Sequence, residues 1–157
     1  MIMRTKKKEW TQFIPQPLET VWGFFSRPEN LNDMTPGDVS FEITSEVAGM
    51  EMYTGMIICY RISPFAGIKM NWVTEITHIE EGRYFVDEQR FGPYAMWHHE
   101  HHFTEQDGGV LMTDRLHYKV PYGIIGTIAD QLFVDAKVEE IFGFRQKAMK
   151  EKFRNKH

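Results

Sequence analysis

The most unusual feature of the sequence is a run of histidines at residues 98–102, which read HHEHH and include four of the seven histidines. An imidazole titrates near neutral pH and can act as a base, an acid or a metal ligand. If the run lies on a strand, its side chains alternate between two faces, and His99 and His101 share a face with Trp97 and Phe103. Because Trp97 and Phe103 are large and apolar, we assign that face to the interior. The other three residues of the run are expected to face water.

Acidic and amide side chains on neighbouring segments could partner these histidines. The segment before the run places Asp87 and Gln89 at the same alternate positions as the aromatic residues Phe85 and Phe91. In a later segment Asp114 shares its alternate positions with apolar residues, which predicts an inward carboxylate. The resulting cluster is too polar for an ordinary core, since polar groups removed from water must find hydrogen-bond partners.

Three hypotheses account for such an inward cluster. It can be a hydrogen-bond network in which a carboxylate orients each imidazole and fixes the register of the strands. It can be the polar end of an otherwise apolar pocket, where one or two donors orient a ligand. It can also perform chemistry, with a histidine as general base beside a carboxylate, or with His99, His101 and Asp87 or Asp114 as metal ligands. No HExxH or comparable signature is present, and we assign no catalytic residue, metal ligand or cofactor.

Strands and helices are predicted to position these residues. Loose alternation over residues 8–14 predicts a first strand, and an apolar stripe at i, i+3, i+4 and i+7 from Leu18 predicts a short helix. A second short helix is expected after Pro28 and ends before residues 36–37, a Pro-Gly pair. Between residues 39 and 120, turn signals divide the chain into six strand-like pieces, whose short connections indicate an antiparallel meander.

The C-terminal part of the sequence is predicted to be one long helix that begins after residues 121–123. Its apolar stripe is expected at Ile125, Ile128, Leu132 and Ala136, and then at Val138, Phe142, Met149 and Phe153. Such a helix is stable only where a sheet covers its apolar face. The predicted fold class is therefore α+β: a curved seven-stranded antiparallel sheet that grips a long C-terminal helix, with two short helices after strand 1.

Two N-terminal segments resemble a known superfamily. Residues 17–22 (PLETVW) and 27–31 (RPENL), together with the order of the elements, resemble the START/Bet v1-like (SRPBCC) superfamily. The resemblance covers nearly the whole chain and implies a helix-grip fold with a deep cavity between the sheet and the C-terminal helix. Members of that superfamily bind lipids, sterols, polyketides or plant hormones, and a minority are cyclases or other enzymes.

A narrower resemblance lies in the middle of the chain. Residues 85–94 (FVDEQRFGPY), 97–103 (WHHEHHF) and 113–118 (TDRLHY) resemble a bacterial subgroup of largely uncharacterised ligand-binding proteins. Some relatives carry this domain fused to a nucleotide-sugar-epimerase-like domain and have been labelled cell-division inhibitors. These 157 residues contain no epimerase-like portion, so we do not transfer that label.

Composition narrows the class of protein further. A net charge of −4 argues against a general nucleic-acid binder. The lysine-rich start lacks the apolar stretch of a signal peptide, and no apolar run is long enough to span a membrane, so a cytoplasmic location is expected. The single cysteine, Cys59, excludes an intramolecular disulfide and a cysteine zinc site. Residues 1–157 are expected to form one domain, and a homodimer is left open.

The sequence therefore predicts reversible binding of a small hydrophobic molecule with one polar end, lipid-, sterol- or polyketide-like, in an internal cavity. The residues expected to contact it are Trp72, Asp87, Gln89, Phe91, Trp97, His99, His101, Asp114 and Phe133. Two alternatives stay open. One is a polyketide cyclase or dehydratase that uses a His/Asp acid-base pair. The other is a regulatory module that acts through its outer surface without a ligand. Binding is favoured over catalysis.

Overall fold

The computed structural model describes residues 5–65 and 67–154. The strands are β1 (Lys6–Ile14), β2 (Phe41–Ile43), β3 (Ile57–Phe65), β4 (Ile68–Glu80), β5 (Tyr84–Phe91), β6 (Met96–Gln106) and β7 (Gly109–Lys119). The helices are α1 (Leu18–Phe25), α2 (Gly123–Ala129) and α3 (Asp135–Lys152). Two 3₁₀ segments (Pro28–Met34 and Gly37–Val39) follow α1, and a π-helical segment (Asp130–Val134) joins α2 to α3.

The strands form one antiparallel sheet in the order β1-β7-β6-β5-β4-β3-β2. Strands β2 to β7 are neighbours in sequence order, and β1 pairs with β7 at the other edge of this series. The structure confirms the predicted α+β class with its seven-stranded sheet and C-terminal helical part. The predicted second short helix is a 3₁₀ segment, Pro28–Met34, and it ends before the Pro-Gly pair as expected.

The hairpin between β6 and β7 sets the register of the strands that carry His101 and Asp114. Asp107 and Gly108 alone connect these strands, and Gly108 has a φ of +80°. Glycine adopts this left-handed region without a Cβ clash, which is why it is common in two-residue hairpin loops. In the resulting register His101 lies directly opposite Asp114.

The apolar face of α3 packs on the sheet. Val138, Phe142, Met149 and Phe153 are buried, as the second half of the predicted stripe requires. Phe142 stacks on Trp10 of β1 with ring centroids 3.9 Å apart. An aromatic pair of this kind adds about 0.5–1.5 kcal/mol beyond the area that it buries.

The first half of the predicted stripe is not buried. Ile125, Ile128 and Leu132 are 77%, 53% and 63% exposed, and Ala136 is exposed as well. The π-helical segment adds a residue to one turn and shifts the phase of the helix, so Val134 is the buried residue there. Within the described ranges, no helix has both the length and the apolar character that crossing a membrane requires.

Candidate functional site

Strand β6 places two histidine rings in the interior. His99 and His101 are only 3% and 1% exposed, and the alternate residues of β6 between and beside them face outward. In the sheet His99 lies opposite Asp87 of β5, and His101 lies opposite Asp114 of β7. The two carboxylates therefore reach the histidine pair from the strands on either side.

Each histidine ring lies between both carboxylates. His99 has its Nε2 2.8 Å from Oδ1 of Asp114 and its Nδ1 3.5 Å from Oδ2 of Asp87. His101 has its Nε2 2.6 Å from Oδ2 of Asp87 and its Nδ1 3.2 Å from Oδ1 of Asp114. The two ring centroids are 3.7 Å apart. The four side chains form one connected network, and its members support each other's orientation.

A cation from α3 completes the cluster. Nη2 of Arg145 lies 3.3 Å from Nδ1 of His101 and 4.0 Å from Oδ1 of Asp114. The guanidinium also lies over the rings of Phe25 and Phe142, at 5.8 and 5.9 Å from their centroids. Its Nε is buried and has no hydrogen-bond partner among the residues that the structure describes. Arg145 thus presents an unused donor inside the protein.

Arg145 was not among the predicted site residues, although the sequence contains a signal for it. Phe142, Arg145 and Met149 lie at i, i+3 and i+7 of α3, so the arginine stands in the stripe that packs on the sheet. A charged residue at such a position is rarely buried without partners. Its partners are distant in sequence, and only the tertiary fold identifies them.

The two histidines have opposite pKa shifts. Burial and then the neighbouring charge of His101 lower the pKa of His99 to about 4, because its contacts with Asp114 and Asp87 offset only part of the shift. Burial also opposes the charge of His101, but hydrogen bonds to Asp114 and Asp87 outweigh it and raise the pKa of that ring. At neutral pH we therefore assign a neutral His99 and a charged His101.

Both carboxylates stay ionised. Burial alone would raise the pKa of Asp114, but the charge of Arg145 and the hydrogen bonds from His101 and His99 hold that pKa well below its usual value. Burial opposes ionisation of Asp87 too, and the hydrogen bond from His101 leads the contacts that lower its pKa. The charges of Asp87 and Asp114 are balanced by those of His101 and Arg145, which is how a buried cluster of this size avoids an uncompensated charge.

The cluster contributes to the wall of a cavity of about 150 Å³ between the sheet and α3. Asp87, His99, His101 and Arg145 contribute to its wall, and Ile141 and Phe142 of α3 close it from the helix side. The remaining wall is mainly apolar and includes Met34, Met52, Ile58, Ile62 and Ile76. Few polar groups in a mainly apolar cavity is the usual composition of a small-molecule site.

Aromatic and hydroxyl side chains line a second part of the cavity. Trp72 lies edge-on to Trp97, with centroids 5.3 Å apart, and Tyr94 packs against both rings. Nε1 of Trp72 donates to Oγ1 of Thr74 at 3.0 Å, and the hydroxyl of Tyr60 lies 3.0 Å from the same oxygen. Burial and the charge of Asp87 raise the pKa of Tyr60, which therefore keeps its proton. Sequence patterning did not identify Tyr60, Thr74 or Arg145.

Five of the nine residues expected at the site line the cavity, namely Trp72, Asp87, Trp97, His99 and His101. Asp114 lies behind the two imidazoles and orients them instead of facing the cavity. Gln89 serves the turn after β5: its Nε2 donates to the carbonyl of Tyr94 at 2.6 Å, and its Oε1 accepts from the backbone N–H of Tyr94 at 3.0 Å. It thereby positions an aromatic residue of the cavity wall.

Phe91 does not line the cavity, because a β-bulge reverses the alternation of β5. Thr74 pairs with Gln89 and the next residue back, Val73, pairs with Phe91, so Arg90 is an extra residue in β5. An extra residue moves the following side chains to the other face of the sheet. Phe91 accordingly lies on the outer face with 62% of its surface exposed.

Phe133 does not contact the cavity either. It lies in the π-helical segment, where the inward position belongs to Val134, and 66% of its surface is exposed. The residues of α3 that line the cavity lie further along the chain, at Ile141, Phe142 and Arg145. The prediction assumed an uninterrupted period of 3.6 residues, and the wider turn breaks it.

Solved structures with this fold include proteins from bacteria and plants. The Zhui aromatase/cyclase from Streptomyces sp. R1128 has a TM-score of 0.73 and 15% identity, over 95% of this chain and 93% of that one. Ginseng major latex-like protein 151 from Panax ginseng has a TM-score of 0.69 and 14% identity, over 96% and 98%. A nucleoside-diphosphate sugar epimerase from Corynebacterium glutamicum has a TM-score of 0.64 and 23% identity, over 92% of this chain and 28% of that longer one.

An antiparallel sheet closed by a C-terminal helix over an internal cavity defines a Bet v1-like, helix-grip protein. The sequence matches the family described as polyketide cyclase/dehydrase and lipid transport over residues 14–141, and the chain belongs to that family. The predicted SRPBCC superfamily is confirmed. Membership supports ligand binding or cyclase-like function as general classes. No curated protein matches the sequence significantly.

Proposed function

We propose that this chain reversibly binds a small, largely apolar molecule with one oxygen-bearing end. The observation that carries the proposal is a mainly apolar cavity whose wall includes Arg145, an arginine whose buried Nε–H has no hydrogen-bond partner among the described residues. A buried donor without a partner costs about 1–3 kcal/mol. A ligand hydroxyl or carbonyl oxygen that reached this N–H would accept its hydrogen bond, and removing the cost of the unpaired donor would favour binding.

Trp72 and Trp97 are the residues that we expect to hold the apolar part of the ligand. Their edge-on rings, with Tyr94 beside them, offer both ring faces and ring edges to a planar molecule. Asp87, His99 and His101 flank the polar end and fix the position of its oxygen. Gln89 and Asp114 contribute indirectly, because each holds a residue of the wall in place.

The size of the cavity favours a compact ligand. A volume of about 150 Å³ is comparable to cavities that hold a single benzene ring, whereas drug-sized ligands occupy about 300–1,000 Å³. A one-ring compound fits without rearrangement, and a sterol would require the two 3₁₀ segments or α3 to move. Within the predicted lipid-, sterol- or polyketide-like range, we therefore favour small aromatic polyketide-like compounds. The cytoplasmic location, the single domain and a homodimer stay predictions.

A pair of matched probes tests the proposal. 4-Ethylphenol and ethylbenzene share a ring and a chain and differ in the hydroxyl, and quenching of tryptophan fluorescence or calorimetry gives their affinities. We expect the phenol to bind at least about 10-fold more tightly, since a hydrogen bond from a charged donor contributes about 1.5–3 kcal/mol. Arg145→Met should remove most of this preference while ethylbenzene affinity changes little.

Two adjacent isoleucines on β3 provide a matched control. Ile58 lines the cavity and is fully buried, whereas Ile57 is 45% exposed on the opposite face. Ile58→Phe should fill the cavity and abolish binding of both probes, and Ile57→Phe should leave binding intact. Equal binding in the two variants would contradict a cavity site and favour the outer-surface regulatory module. Native mass spectrometry of gently purified protein, before and after denaturation, would give the mass of any natural ligand.

A second function, acid–base catalysis on a carbonyl compound, is favoured by one specific observation. Two neighbouring imidazoles with pKa values shifted in opposite directions supply a neutral base, His99, beside a charged acid, His101. Proton abstraction next to a carbonyl is the corresponding step. Exchange of the methyl protons of acetophenone into D₂O, followed by NMR, tests it. Catalysed exchange that disappears in His99→Gln would support an enzyme, and exchange no faster than in buffer would exclude this step.

A further inference from the structure

Three ligand-type atoms converge at the polar end of the cavity. His99, His101 and Asp87 each offer one ligand atom, and these three atoms lie within 4.8 Å of one another. Nδ1 of His99 and Nε2 of His101 are the nitrogens that face Oδ2 of Asp87. The carboxylate oxygen is 2.6 Å from the His101 nitrogen and 3.5 Å from the His99 nitrogen. Tetrahedral ligands at zinc, with bond lengths of about 2.0–2.2 Å, are separated by about 3.3–3.6 Å. The His99 contact lies in this range, and the shorter His101 contact would have to lengthen when an ion binds.

The shorter contact of the His99 ring is made away from Asp87. Its Nε2 lies 2.8 Å from Oδ1 of Asp114, whereas its Nδ1 lies 3.5 Å from Oδ2 of Asp87. Nδ1 is therefore the ring nitrogen next to the Asp87 carboxylate, on the side where His101 also approaches that carboxylate. A metal ion bound by these groups would replace any proton between them.

Asp114 supplies the outer contacts that metal-binding histidines usually have. Its Oδ1 lies 2.8 Å from Nε2 of His99 and 3.2 Å from Nδ1 of His101, the two ring nitrogens that face away from Asp87. A carboxylate that accepts from the second nitrogen fixes the tautomer and makes the first nitrogen a better ligand. Arg145 lies beside this outer side of the network, with its Nη2 4.0 Å from Oδ1 of Asp114.

We infer that Asp87, His99 and His101 bind one divalent first-row transition metal ion of the zinc class. Two imidazoles and one carboxylate are ligands that such ions favour. Binding replaces the proton between Nε2 of His101 and Asp87, which is released to solvent. The other coordination positions face the cavity, where an oxygen of a ligand would reach them. That last step rests on the proposed function, whereas the ion site does not.

The outer face of β6 is the expected source of a misleading signal. His98 has its Nδ1 2.6 Å from Glu88, and His102 has its Nε2 2.7 Å from Glu100, all on the opposite side of the sheet. These side chains are partly exposed and could bind an added ion weakly. A double variant, His98→Ala with His102→Ala, removes this outer pair and leaves the inner ligands unchanged.

The test uses the metal alone. Chelator-treated protein is titrated with Co²⁺, whose visible absorption reports nitrogen and carboxylate coordination, and Zn²⁺ is then added as a competitor. We expect one equivalent in the wild-type protein and in the outer double variant. Asp87→Asn should weaken binding by more than about 100-fold, because outer-shell partners alone change affinity by about 10–100-fold. Asp114→Asn should weaken metal binding by about 10–100-fold, because Asp114 contacts the ligands and not the ion.

A second measurement avoids dependence on how the variants fold. In long-range ¹H–¹⁵N spectra of the histidine side chains, Zn²⁺ should shift Nδ1 of His99 and Nε2 of His101 by far more than the nitrogens of His98 and His102. The inference is overturned if the wild-type protein binds no stoichiometric Co²⁺. It is also overturned if binding persists in Asp87→Asn and disappears in the outer double variant. Because no organic ligand is used, failure here leaves the cavity proposal standing, and the reverse holds for the phenol experiment.

Discussion

Acidification of the metal-free protein from about pH 6.5 to about pH 4 is expected to destabilise it through His99. Burial and the charge of His101 lower the pKa of His99 from 6.5 to about 4 in the folded protein. In the unfolded chain the same ring takes up a proton near its ordinary pKa of about 6.5. Between these two values the unfolded state binds more protons than the folded state, so the free energy of unfolding falls as the pH falls.

The magnitude follows from the two pKa values. A difference between 6.5 and about 4 corresponds to about 3 kcal/mol, at about 1.4 kcal/mol for each pH unit. The penalty is absent above pH 6.5, where His99 is neutral in both states, and complete below about pH 4, where it is protonated in both. Because domains of this size are stable by about 5–15 kcal/mol, the loss is large enough to measure.

Urea unfolding at a series of pH values, with a chelator present, gives the slope of the free energy of unfolding against pH. His99→Gln keeps an N–H donor for Asp114 and removes the titrating group, so its slope within this window should be smaller by about 1.4 kcal/mol for each pH unit. The matched control is His78→Gln, since His78 is exposed on β4, and its slope should equal that of the wild-type protein. If His99→Gln and the wild-type protein lose stability in parallel, the assignment of a neutral, buried His99 is wrong.

The opposite dependence is expected for His101, whose pKa is raised by hydrogen bonds to its two carboxylates: the wild-type protein should lose stability as the pH rises above about 6.5, and His101→Gln should not, in the same urea series. Phe142→Ala should cost about 3–5 kcal/mol, because this ring is buried and stacked on β1. Phe144→Ala on the same helix, where the ring is 38% exposed, should cost far less by thermal unfolding. Arg145→Met should raise the pKa of Asp114, since the arginine charge is the main influence that lowers it; a carboxyl ¹³C titration that is unchanged in the variant would contradict this.

Sequence patterns predicted the helices and strands and the inward side chains of β6, because alternation along a strand depends only on neighbouring residues. Alternation along β6 was enough to orient His99 and His101, since two large apolar side chains, Trp97 and Phe103, mark the same face. The patterns failed where one residue is inserted into a regular element. The bulge at Arg90 turned Phe91 outward, and the π-helical segment turned Phe133 outward. A search for regular spacing does not detect either insertion, because the residue types around it are those of an ordinary strand or helix.

The parts of the site that depend on distant segments could not be predicted in the same way. Arg145 meets His101 across 44 positions of sequence, and its role follows only from how α3 crosses the sheet. Tyr60 and Thr74 meet through the pairing of β3 with β4. Asp114 was correctly predicted to face inward, but its position behind the imidazoles depends on side-chain geometry that alternation does not specify.

Binding of a neutral ligand and binding of a metal ion differ in what happens to the proton between His101 and Asp87. A neutral ligand oxygen that accepts from Arg145 leaves the proton between His101 and Asp87 in place, and the balanced charge of the cluster is preserved. A divalent ion must displace that proton, so its affinity rises with pH. Asp114 contacts both imidazoles and lies 4.0 Å from Arg145. Metal binding therefore changes the charge of the network that Asp114 connects to Arg145 of α3, whereas binding of a neutral ligand leaves that charge unchanged.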